Sequence, residues 1–361
     1  MLSICTTHVD NPEQAVRVST MKRTHEIQQY ILDSIPNHPK DIVAKTAASF
    51  NITRQAVNRH INNLIKNGLI HAEGNTKQRT YKLKVLNKVF FCVPLKNLEE
   101  DSLWRERIRE YLTDLPENIF SIWHYGFTEM VNNAIDHSEG TNLTVVLEKT
   151  AATVHMLVID DGVGIFKKIK EGIGLEDEKH AILELAKGKL TTDPQRHTGE
   201  GIFFSSRMFD HYIILSGEVY FSHSFDSDDD WIIESEVPKA GTVVSMMIKN
   251  NSKTTTKEIF DKFSSGGNTY GFNKTIVPII LAKQGPEQLI SRSQAKRLLA
   301  RFERFKVVIL DFRGVDIIGP AFADEIFRVF AKSHPEVSLV PVRANRNIKN
   351  IINKAKTEPR Y

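Results

Sequence analysis

The sequence predicts an α+β protein of several domains, and three observations support this fold class. The chain has 361 residues, which is longer than one hydrophobic core usually organises. Residues 21–88 combine helical apolar spacing with a pair of short strands, and residues 261–361 alternate strands and helices. A longer block of mixed helices and strands, residues 89–260, lies between them. We therefore expect a tail at 1–20 followed by three domains with these boundaries.

Composition favours a folded, soluble chain. Apolar residues make up 41% and charged residues 25% of the sequence, which argues against wholesale disorder and against a fibrous repeat. No apolar run approaches the roughly 18 residues needed to cross a bilayer, and the N-terminus lacks the pattern of a secretion signal. Cys5 and Cys92 show no metal-ligand spacing and predict no disulfide framework. We expect a cytoplasmic protein without membrane contact.

Positive charge is concentrated near the N-terminus. Residues 1–90 hold 13 Lys and Arg against 6 Asp and Glu, although the whole chain has a formal net charge of only +4. Apolar residues in "THEIQQYILDSI" recur at helical spacing. A second helix, "DIVAKTAASF", has Asp41 as its predicted N-cap, and Thr53 is the predicted N-cap of a third helix that stops at Gly68. The stretch "LIHAEGNTKQRTYKLKVL" then predicts two strands around a turn.

This order of three helices and a hairpin resembles a winged helix-turn-helix domain over roughly Met21–Leu86. In such domains the third helix enters the major groove of DNA and the wing contacts the backbone. The resemblance implies double-stranded DNA as a partner, with base-facing residues in the helix and phosphate-facing residues in the wing. The predicted DNA contacts are Arg54, Gln55, Asn58 and Arg59 in the helix, and Lys77, Arg79 and Lys82 in the wing. A helical docking domain with a solvated basic face is the alternative.

The middle block contains a helix with an unusual polar side. In "EMVNNAIDHS", interpreted as a helix, Glu129, Asn133, Asp136 and His137 project from one side. A carboxylate and an amide one turn apart can hold a water and a magnesium ion, because magnesium prefers oxygen ligands and keeps several waters. For this helix taken alone, an ordinary solvated face is the alternative.

Two glycine-containing stretches follow this helix. "LVIDDGVGIF" has Asp160 at the end of a buried strand, where an adenine amino group could donate a hydrogen bond contributing roughly 1.5 to 3 kcal/mol. Gly162 and Gly164 would let a flat base approach the backbone. In "HTGEGIFFSSRMF", Gly199 and Gly201 precede a helix whose free N–H groups can receive phosphate oxygens. Tight turns explain either glycine motif taken alone.

The three stretches in this order resemble the GHKL ATPases, the superfamily of gyrase B subunits, histidine kinases, mismatch-repair ATPases and anti-sigma kinases. The resemblance covers roughly Leu98–Lys249 and implies the GHKL (Bergerat) α/β sandwich, with ATP and Mg²⁺ as cofactors. It implies Glu129 as the general base and Asn133 as the magnesium ligand. The nucleotide contacts that it implies are Asn133, Asp160, Gly162, Gly164, Gly199, Gly201 and, near the adenine, Thr242.

The resemblance also implies a mobile lid over the nucleotide at residues 166–198. Cations in this span would screen phosphate charge, although a solvated connector is the alternative. The polar residues of interest there are Lys187, Lys189, Thr191 and Arg196. A sensor histidine kinase needs a phosphoacceptor histidine followed by an acidic residue. His60 and His124 precede Ile61 and Tyr125, so histidine autophosphorylation is not expected.

The C-terminal part alternates strands and helices, which is typical of a small α/β layer structure. Within it, "KVVILDFRGVDIIGPAFADEIFRVF" resembles the STAS domain of anti-sigma-factor antagonists, over about Thr275–Lys356. That family carries a phosphorylatable serine where this sequence has Ile318–Ala321, which offers no hydroxyl. The resemblance implies an interaction or dimerisation module. Asp311 and Arg313 are its candidate contacts, unless they are simply solvated residues at a strand end.

The sequence thus predicts an ATP-binding and ATP-hydrolysing regulator of transcription. In this prediction a GHKL module controls a DNA-binding winged helix and a STAS-like module that binds a protein partner. Two alternatives stay open: an anti-sigma-type serine/threonine protein kinase, in which Glu129 activates a hydroxyl, and a nucleotide-gated scaffold with little hydrolysis. A homodimer is expected from the superfamily alone.

Overall fold

The computed structural model describes residues 12–75, 78–190, 199–224, 229–264, 271–283 and 288–357. The chain forms two compact units. The first contains Met1–Lys88 with Glu148–Val154, and the second contains Val89–Leu147 with His155–Tyr361. A division therefore falls at residue 88, and the blocks predicted as separate second and third domains form one unit by their contacts.

Three helices and a hairpin make up the first unit. They are α1 (Pro12–Ser34), α2 (Ile42–Phe50), α3 (Arg54–Lys66), β1 (Ile70–Glu73) and β2 (Thr80–Leu83), and the strands pair antiparallel. Helix α1 begins inside the segment predicted as a tail, because no glycine or further proline interrupts residues 13–35.

The two predicted N-caps of this unit have different outcomes. The cap of α3 is confirmed, because Thr53 Oγ1 accepts a hydrogen bond from the N–H of Ala56 at 3.2 Å. Asp41 has the predicted N-cap position of α2, but its side chain makes no cap bond and instead lies 3.2 Å from His38 Nδ1. Proximity to a histidine one turn earlier competes with capping for this carboxylate.

The apolar stripes predicted from helical spacing meet in one core. Val57, Ile61 and Leu64 of α3 are buried in it. Each large apolar side chain contributes about 1.5 to 3 kcal/mol on burial, so this stripe fixes which side of α3 faces outward. The core residues of the unit are Ile27, Ile31, Leu32, Ile35, Ile42, Val57, Ile61, Leu64, Ile70, Tyr81 and Ala152.

A five-stranded sheet organises the second unit. Its strands are β3 (Asn87–Pro94), β4 (Asn142–Lys149), β5 (Thr153–Asp160), β6 (His211–Ser224) and β7 (Asp229–Lys249), in the order β3-β4-β5-β7-β6. Alternate residues of β4 and β5 are buried, which is the pattern of strands with one covered face. The sequence stretches "DWIIESEVP" and "GTVVSMMIK" predict two strands in the span of β7. The structure has one, paired with β6 through register shifts near Gly217.

Helices of the same unit pack against this sheet and one another. They are α4 (Glu100–Leu103), α5 (Glu117–His137), α6 (Ile165–Ile173), α7 (Glu178–Lys187), α8 (Gly201–Met208) and α9 (Thr256–Phe263). Helix α5 begins earlier than predicted and contacts β6, where Tyr212 Oη donates to Met130 Sδ at 3.0 Å. Gly126 of α5 lies so close to Phe209 that an added Cβ would be 2.5 Å from its ring. This contact fixes the long helix beside the sheet.

The C-terminal part has the predicted alternation of strands and helices. Its parallel strands are β8 (Lys274–Pro278), β9 (Val307–Asp311) and β10 (Ser338–Val342), in the order β10-β9-β8. Its helices are α10 (Arg292–Leu299), α11 (Pro320–Asp324), α12 (Ala331–Ser333) and α13 (Arg346–Thr357), with a π-helical turn at Glu325–Phe330. Across the described ranges, no helix is both long enough and apolar enough to span a bilayer.

Candidate functional site

A cavity of about 300 Å³ lies in the second unit. Polar residues from α5, from the end of β5, from the start of α8 and from β7 border it together, which is how ligand sites commonly form. The predicted site residues that line it are Glu129, Asn133, Asp160, Gly199, Gly201 and Thr242. Its apolar lining residues are Met130, Ala134, Val158, Ile165, Ile169, Leu185, Leu190, Ile202, Phe203 and Val244. The arrangement offers a space that is lined about equally by apolar and by polar residues.

The polar side of α5 contributes differently from the prediction. Glu129 and Asn133 line the cavity one helical turn apart, and His137 lines it one turn further on. Asp136 is exposed and does not line the cavity, whereas Asn132, to which the sequence assigned no chemistry, does. Helical spacing correctly predicted which side of α5 carries the polar cluster, but not which residues at its margins line the cavity.

Asp160 ends β5 with its carboxylate buried. The residue is 8% exposed, and its Oδ1 accepts from the N–H of Gly162 at 3.0 Å and from the N–H of Thr242 at 3.2 Å. Burial raises the pKa of Asp160, and these two N–H donors oppose the rise. Thr242 also accepts from the N–H of Ile165 at 3.0 Å, which ties the start of α6 to β7. A ligand with a hydrogen-bond donor would complement this carboxylate.

Gly162 and Gly164 lie where side chains would not fit. An added Cβ at Gly162 would lie 2.0 Å from the carbonyl oxygen of Ser138, and one at Gly164 would lie 2.6 Å from Ser216 Oγ. Neither glycine is among the residues that line the cavity. The glycines allow the loop after β5 to pack closely against its neighbours, and the expected access of a flat base to the backbone here stays a prediction.

Asp161, the next residue, stabilises the same loop through hydrogen bonds to Thr141 and Asn142. Its carboxylate accepts from the backbone N–H groups of Thr141 and Asn142 at 2.6 and 2.9 Å. It also accepts from Thr141 Oγ1 at 2.7 Å and from Asn142 Nδ2 at 2.9 Å. These four bonds hold the pKa of Asp161 well below its usual range and join the end of β5 to the start of β4.

The glycines before α8 meet both the general-base candidate and the segment after α7. An added Cβ at Gly201 would lie 1.9 Å from Glu129 Oε2, so only glycine allows this approach. Gly199 has a φ of +69°, and its carbonyl oxygen accepts from the N–H of Leu190 at 3.2 Å. The first turn of α8 thus begins next to the Glu129 carboxylate, with N–H groups that the helix itself does not use.

Negative charge accumulates at this end of the cavity. Burial raises the pKa values of Tyr125 and Tyr212, and the nearby Glu129 carboxylate adds to both shifts. Glu200 adds to the shift at Tyr125 and also lines the cavity. A phosphate group here would therefore need a cation between it and the carboxylates.

Asn133 is the residue that fits such a cation. Its Nδ2 atom is buried and has no hydrogen-bond partner within the described residues. The oxygen and nitrogen of an amide exchange by a half-turn, so this position can present the oxygen that Mg²⁺ prefers. The described ranges hold no cluster of three His, Cys, Asp or Glu suited to a metal. A magnesium ion at Asn133 would hence take its remaining ligands from water and from phosphate oxygens.

The predicted lid cations do not face the cavity where the structure describes them. Lys187 is fully buried, pairs with Glu184 and donates to the carbonyl oxygen of Ala300 at 2.9 Å. Lys189 Nζ donates to the carbonyl oxygen of Arg304 at 2.9 Å. The predicted role in screening phosphate is corrected for Lys187, whose amine is buried and engaged by these groups. For Lys189, which the cavity residue Glu200 also attracts, it stays a prediction. Thr191 and Arg196 lie outside the described residues.

Lys168 is a cavity residue that the sequence did not single out. It lines the cavity from α6 and pairs with Glu139, whose pKa this contact lowers. A signal was present, because Lys168 stands four residues after Gly164 on the first turn of the helix that follows the second motif. That signal is weak, since Lys167 and Lys170 lie beside it.

The basic residues of the first unit are described by themselves. Arg54, Gln55, Asn58 and Arg59 are all exposed on α3, opposite its buried stripe. Arg79 is exposed, with its guanidinium carbon 5.5 Å from the centre of the Tyr81 ring, and Lys82 pairs with Glu73 at 2.6 Å. Lys77 lies outside the described residues.

Asp311 is a structural residue rather than an exposed contact. It is 3% exposed, and Arg343 donates to it from Nε at 2.8 Å and also from Nη2. Arg313 donates its backbone N–H to Asp311 at 3.1 Å. The prediction that Asp311 contacts a partner is therefore corrected, because its carboxylate already has a bidentate cation.

A comparison with protein families identifies the C-terminal part. Residues 294–349 match a family model described as a STAS-like domain of unknown function (DUF4325). The predicted STAS-like character is thereby confirmed for these residues, which include β9, β10 and the helices between them. No curated protein matches the chain.

Proposed function

We propose that this protein binds and hydrolyses ATP, and that the nucleotide regulates what the remaining segments of the chain bind. The observation that carries the proposal is the cavity itself. Glu129 and Asn133 of α5, Asp160 of β5, Gly201 of α8 and Thr242 of β7 border one space. These are residues that the resemblance to GHKL ATPases assigns to nucleotide binding and catalysis.

The Asp160 end of the cavity suits an adenine ring. Val158, Ile165 and Val244 supply apolar surface, and the buried Asp160 carboxylate supplies a hydrogen-bond acceptor. An adenine amino group is a donor of the kind that this carboxylate needs, and a hydrogen bond to a charged group contributes about 1.5 to 3 kcal/mol. The opposite end, with the first turn of α8, suits the phosphates.

Hydrolysis requires a base and a stabilised phosphate. In the proposed reaction Glu129 accepts a proton from water, the water oxygen bonds to the γ-phosphorus, and the bond to the β,γ-bridging oxygen breaks to release ADP and phosphate. A bound Mg²⁺ would supply positive charge to the phosphate oxygens, and Asn133 would hold it. The N–H groups of the first turn of α8 would orient the phosphates.

The other segments supply the proposed outputs. The exposed basic side of α3 supports binding of double-stranded DNA by the first unit, since Arg54 and Arg59 stand on it without burial. The STAS-like segment is the proposed site for a protein partner or for a second copy of the chain. Duplex DNA of random sequence, titrated at two salt concentrations, tests the first output: absence of binding at low salt would exclude it.

Incubation of the full chain with γ-labelled ATP and Mg²⁺ tests the activity. Release of free labelled phosphate supports hydrolysis, label on the protein supports the serine/threonine kinase alternative, and bound ATP without either supports the scaffold. The Glu129→Ala variant should retain ATP binding and lose turnover by about 10²- to 10⁴-fold, as expected for a general base. Normal turnover in this variant would show that Glu129 is not the base.

A further inference from the structure

The end of α7 is held by side chains from the C-terminal part of the second unit, and Arg301 makes the largest share of these bonds. Arg301 donates from Nη1 to Glu184 Oε2 at 2.9 Å and from Nη2 to the carbonyl oxygen of Gly188 at 3.2 Å. The same Nη2 donates to the carbonyl oxygen of Lys189. One guanidinium therefore holds three acceptors within six residues of chain, from Glu184 to Lys189.

Further hydrogen bonds join the end of α7 to the same C-terminal part. Lys187 Nζ is fully buried between Glu184 and the carbonyl oxygen of Ala300, and Thr275 Oγ1 donates to the carbonyl oxygen of Lys187 at 2.7 Å. The Glu184 side chain is 4% exposed, so its charge depends on the cations Lys187 and Arg301. Removing one partner of a buried ion pair is costly because it leaves a buried charge poorly compensated.

The segment held by Arg301 continues directly into the cavity wall. Leu190, the next residue, lines the cavity and donates its N–H to the carbonyl oxygen of Gly199 at 3.2 Å. An added Cβ at Gly199 would lie 2.3 Å from the carbonyl group of Leu190. Gly201 follows two residues later, against Glu129. A displacement of the segment that Arg301 holds would therefore be transmitted to Gly199 through the backbone hydrogen bond from Leu190.

Both residues at the centre of this contact have an unfavourable backbone conformation. Arg301 has a φ of +68° and Lys189 a φ of +52°, in the left-handed region that side chains other than glycine avoid. Each such residue costs about 1 to 2 kcal/mol and persists only where surrounding contacts hold it. The hydrogen bond from Arg301 Nη2 to the carbonyl oxygen of Lys189 joins the two. Arg304 Nη1 donates to the same oxygen at 3.1 Å, but only Arg301 also holds Glu184 and Gly188, so its loss would loosen the segment.

We propose that Arg301 is a positioning residue for the cavity. It fixes the backbone from Gly188 to Leu190 and thereby keeps Gly199 and Gly201 in the arrangement that receives nucleotide phosphates. This inference rests on the proposed nucleotide function of the cavity. Because Arg301 lies within the residues that match the STAS-like family, that domain sets the nucleotide affinity of the site.

The size of the effect follows from how much order Arg301 supplies. If the segment is correctly positioned only one-tenth of the time without Arg301, the apparent dissociation constant of a nucleotide rises about tenfold. A bound nucleotide restores the arrangement, so the rate of the bound complex changes little. A positioning role thus raises KM and leaves kcat nearly unchanged, which is the opposite of the pattern expected for Glu129.

The Arg301→Ala variant of the full chain tests the proposal by titration with a non-hydrolysable ATP analogue and by steady-state hydrolysis. We expect a dissociation constant and a KM about tenfold higher than in the unmodified chain, with kcat within about twofold. Arg301→Lys keeps a cation for Glu184 but loses the paired donors, and should recover part of the affinity. Unchanged affinity in Arg301→Ala would overturn the proposal.

Arg343→Ala is the matched control, because it removes an arginine from another ion pair of the same domain. It should lower stability and leave nucleotide affinity unchanged; an equal loss of affinity in both variants would attribute the effect to general destabilisation and overturn the proposal.

Hydrogen exchange of the nucleotide-free chain separates this proposal from the proposed function. Exchange at the Leu190 amide at least about tenfold faster in Arg301→Ala supports the positioning role, and equal exchange overturns it, even if the unmodified chain binds no nucleotide.

Discussion

Two strands of the second unit end in a buried aspartate, and the first of these residues borders the cavity of about 300 Å³. Asp160 ends β5 and is 8% exposed, and Asp311 ends β9 and is 3% exposed. In each, Oδ1 accepts from the backbone N–H two residues further along, that of Gly162 at 3.0 Å and that of Arg313 at 3.1 Å. Their local backbone arrangements are therefore alike.

The two sites differ in what compensates the charge. Arg343 donates to both oxygens of Asp311, so the charge of this carboxylate is compensated within the chain. Within the described contacts, Asp160 receives neutral donors, from Gly162 and Thr242, and it borders the cavity. A strand-end aspartate stabilises the fold where the chain supplies the cation, and it can serve a ligand where the chain does not.

The largest expected effect is on nucleotide binding in Asp160→Asn. We expect affinity for ATP to fall about 100-fold, because the amide loses the charged hydrogen bond to the base, worth up to about 3 kcal/mol. The melting temperature should not fall, since the substitution also removes a buried charge. Calorimetric titration measures the affinity, with Asp311→Asn as the control that should bind ATP normally. Normal binding by Asp160→Asn would break the comparison.

The next effect is on stability in Arg343→Ala. It leaves the Asp311 carboxylate buried without its cation, and we expect the free energy of unfolding to fall by about 2 kcal/mol. This is less than the 3 to 5 kcal/mol for a fully buried pair. The reason is that the Arg343 side chain is 38% exposed. Chemical denaturation measures the change, and a loss below about 0.5 kcal/mol would mean that solvent already compensates Asp311.

A pair of alanine substitutions compares the loops after the two strands. At Gly162 an added Cβ would overlap the carbonyl oxygen of Ser138 at 2.0 Å, whereas at Gly314 its nearest neighbour would be Ile280 Cδ1 at 4.0 Å. Gly162→Ala should cost about 2 kcal/mol through overpacking. Gly314→Ala should cost about 1 kcal/mol, because its φ of +70° disfavours a side chain. Equal losses in thermal unfolding would show that the Asp160 loop is less tightly packed than described.

The smallest expected effect is a dependence on pH. Burial raises the pKa of Asp160, so acidification protonates it before an ordinary aspartate and weakens binding of a base that donates to it. The folded-state pKa lies above the unfolded one, so this group's contribution to stability is present at low pH and lost as pH rises through it. As the pH falls, the affinity for the base should therefore decrease, while the contribution of Asp160 to the free energy of unfolding should increase. Titration with adenosine, which lacks ionisable phosphates, measures the affinity; Asp160→Asn should lack the dependence.

Local patterns in the sequence predicted much of the fold. Helical spacing identified the buried stripe of α3, the hydroxyl of Thr53 identified its cap, and alternation identified the C-terminal strands. The cavity unites Glu129, Asn133 and Asp160, which were chosen because their chemistry has a use only in combination.

What the sequence could not predict depends on contacts distant along the chain. Lys187 was interpreted as a lid cation that screens phosphate. Its burial could not be predicted, because it requires Glu184, Ala300 and Thr275 to surround it. Arg301 was not singled out, since its partners lie more than 110 residues away. Gly162 was assigned to ligand binding. Its close packing against the carbonyl of Ser138 could not be predicted, because Ser138 belongs to another element.

The adjacent carboxylates of Asp160 and Asp161 have pKa values displaced in opposite directions, the first upward by burial and the second downward by four hydrogen bonds. On acidification Asp160 becomes neutral while Asp161 still joins β5 to β4. The contribution of Asp161 to stability is lost only as pH falls through its own, lower pKa. There is consequently an interval of acidity in which the loop keeps its form but offers no charge to a base. Within that interval a base would meet an uncharged Asp160, although the hydrogen bonds of Asp161 still hold the loop.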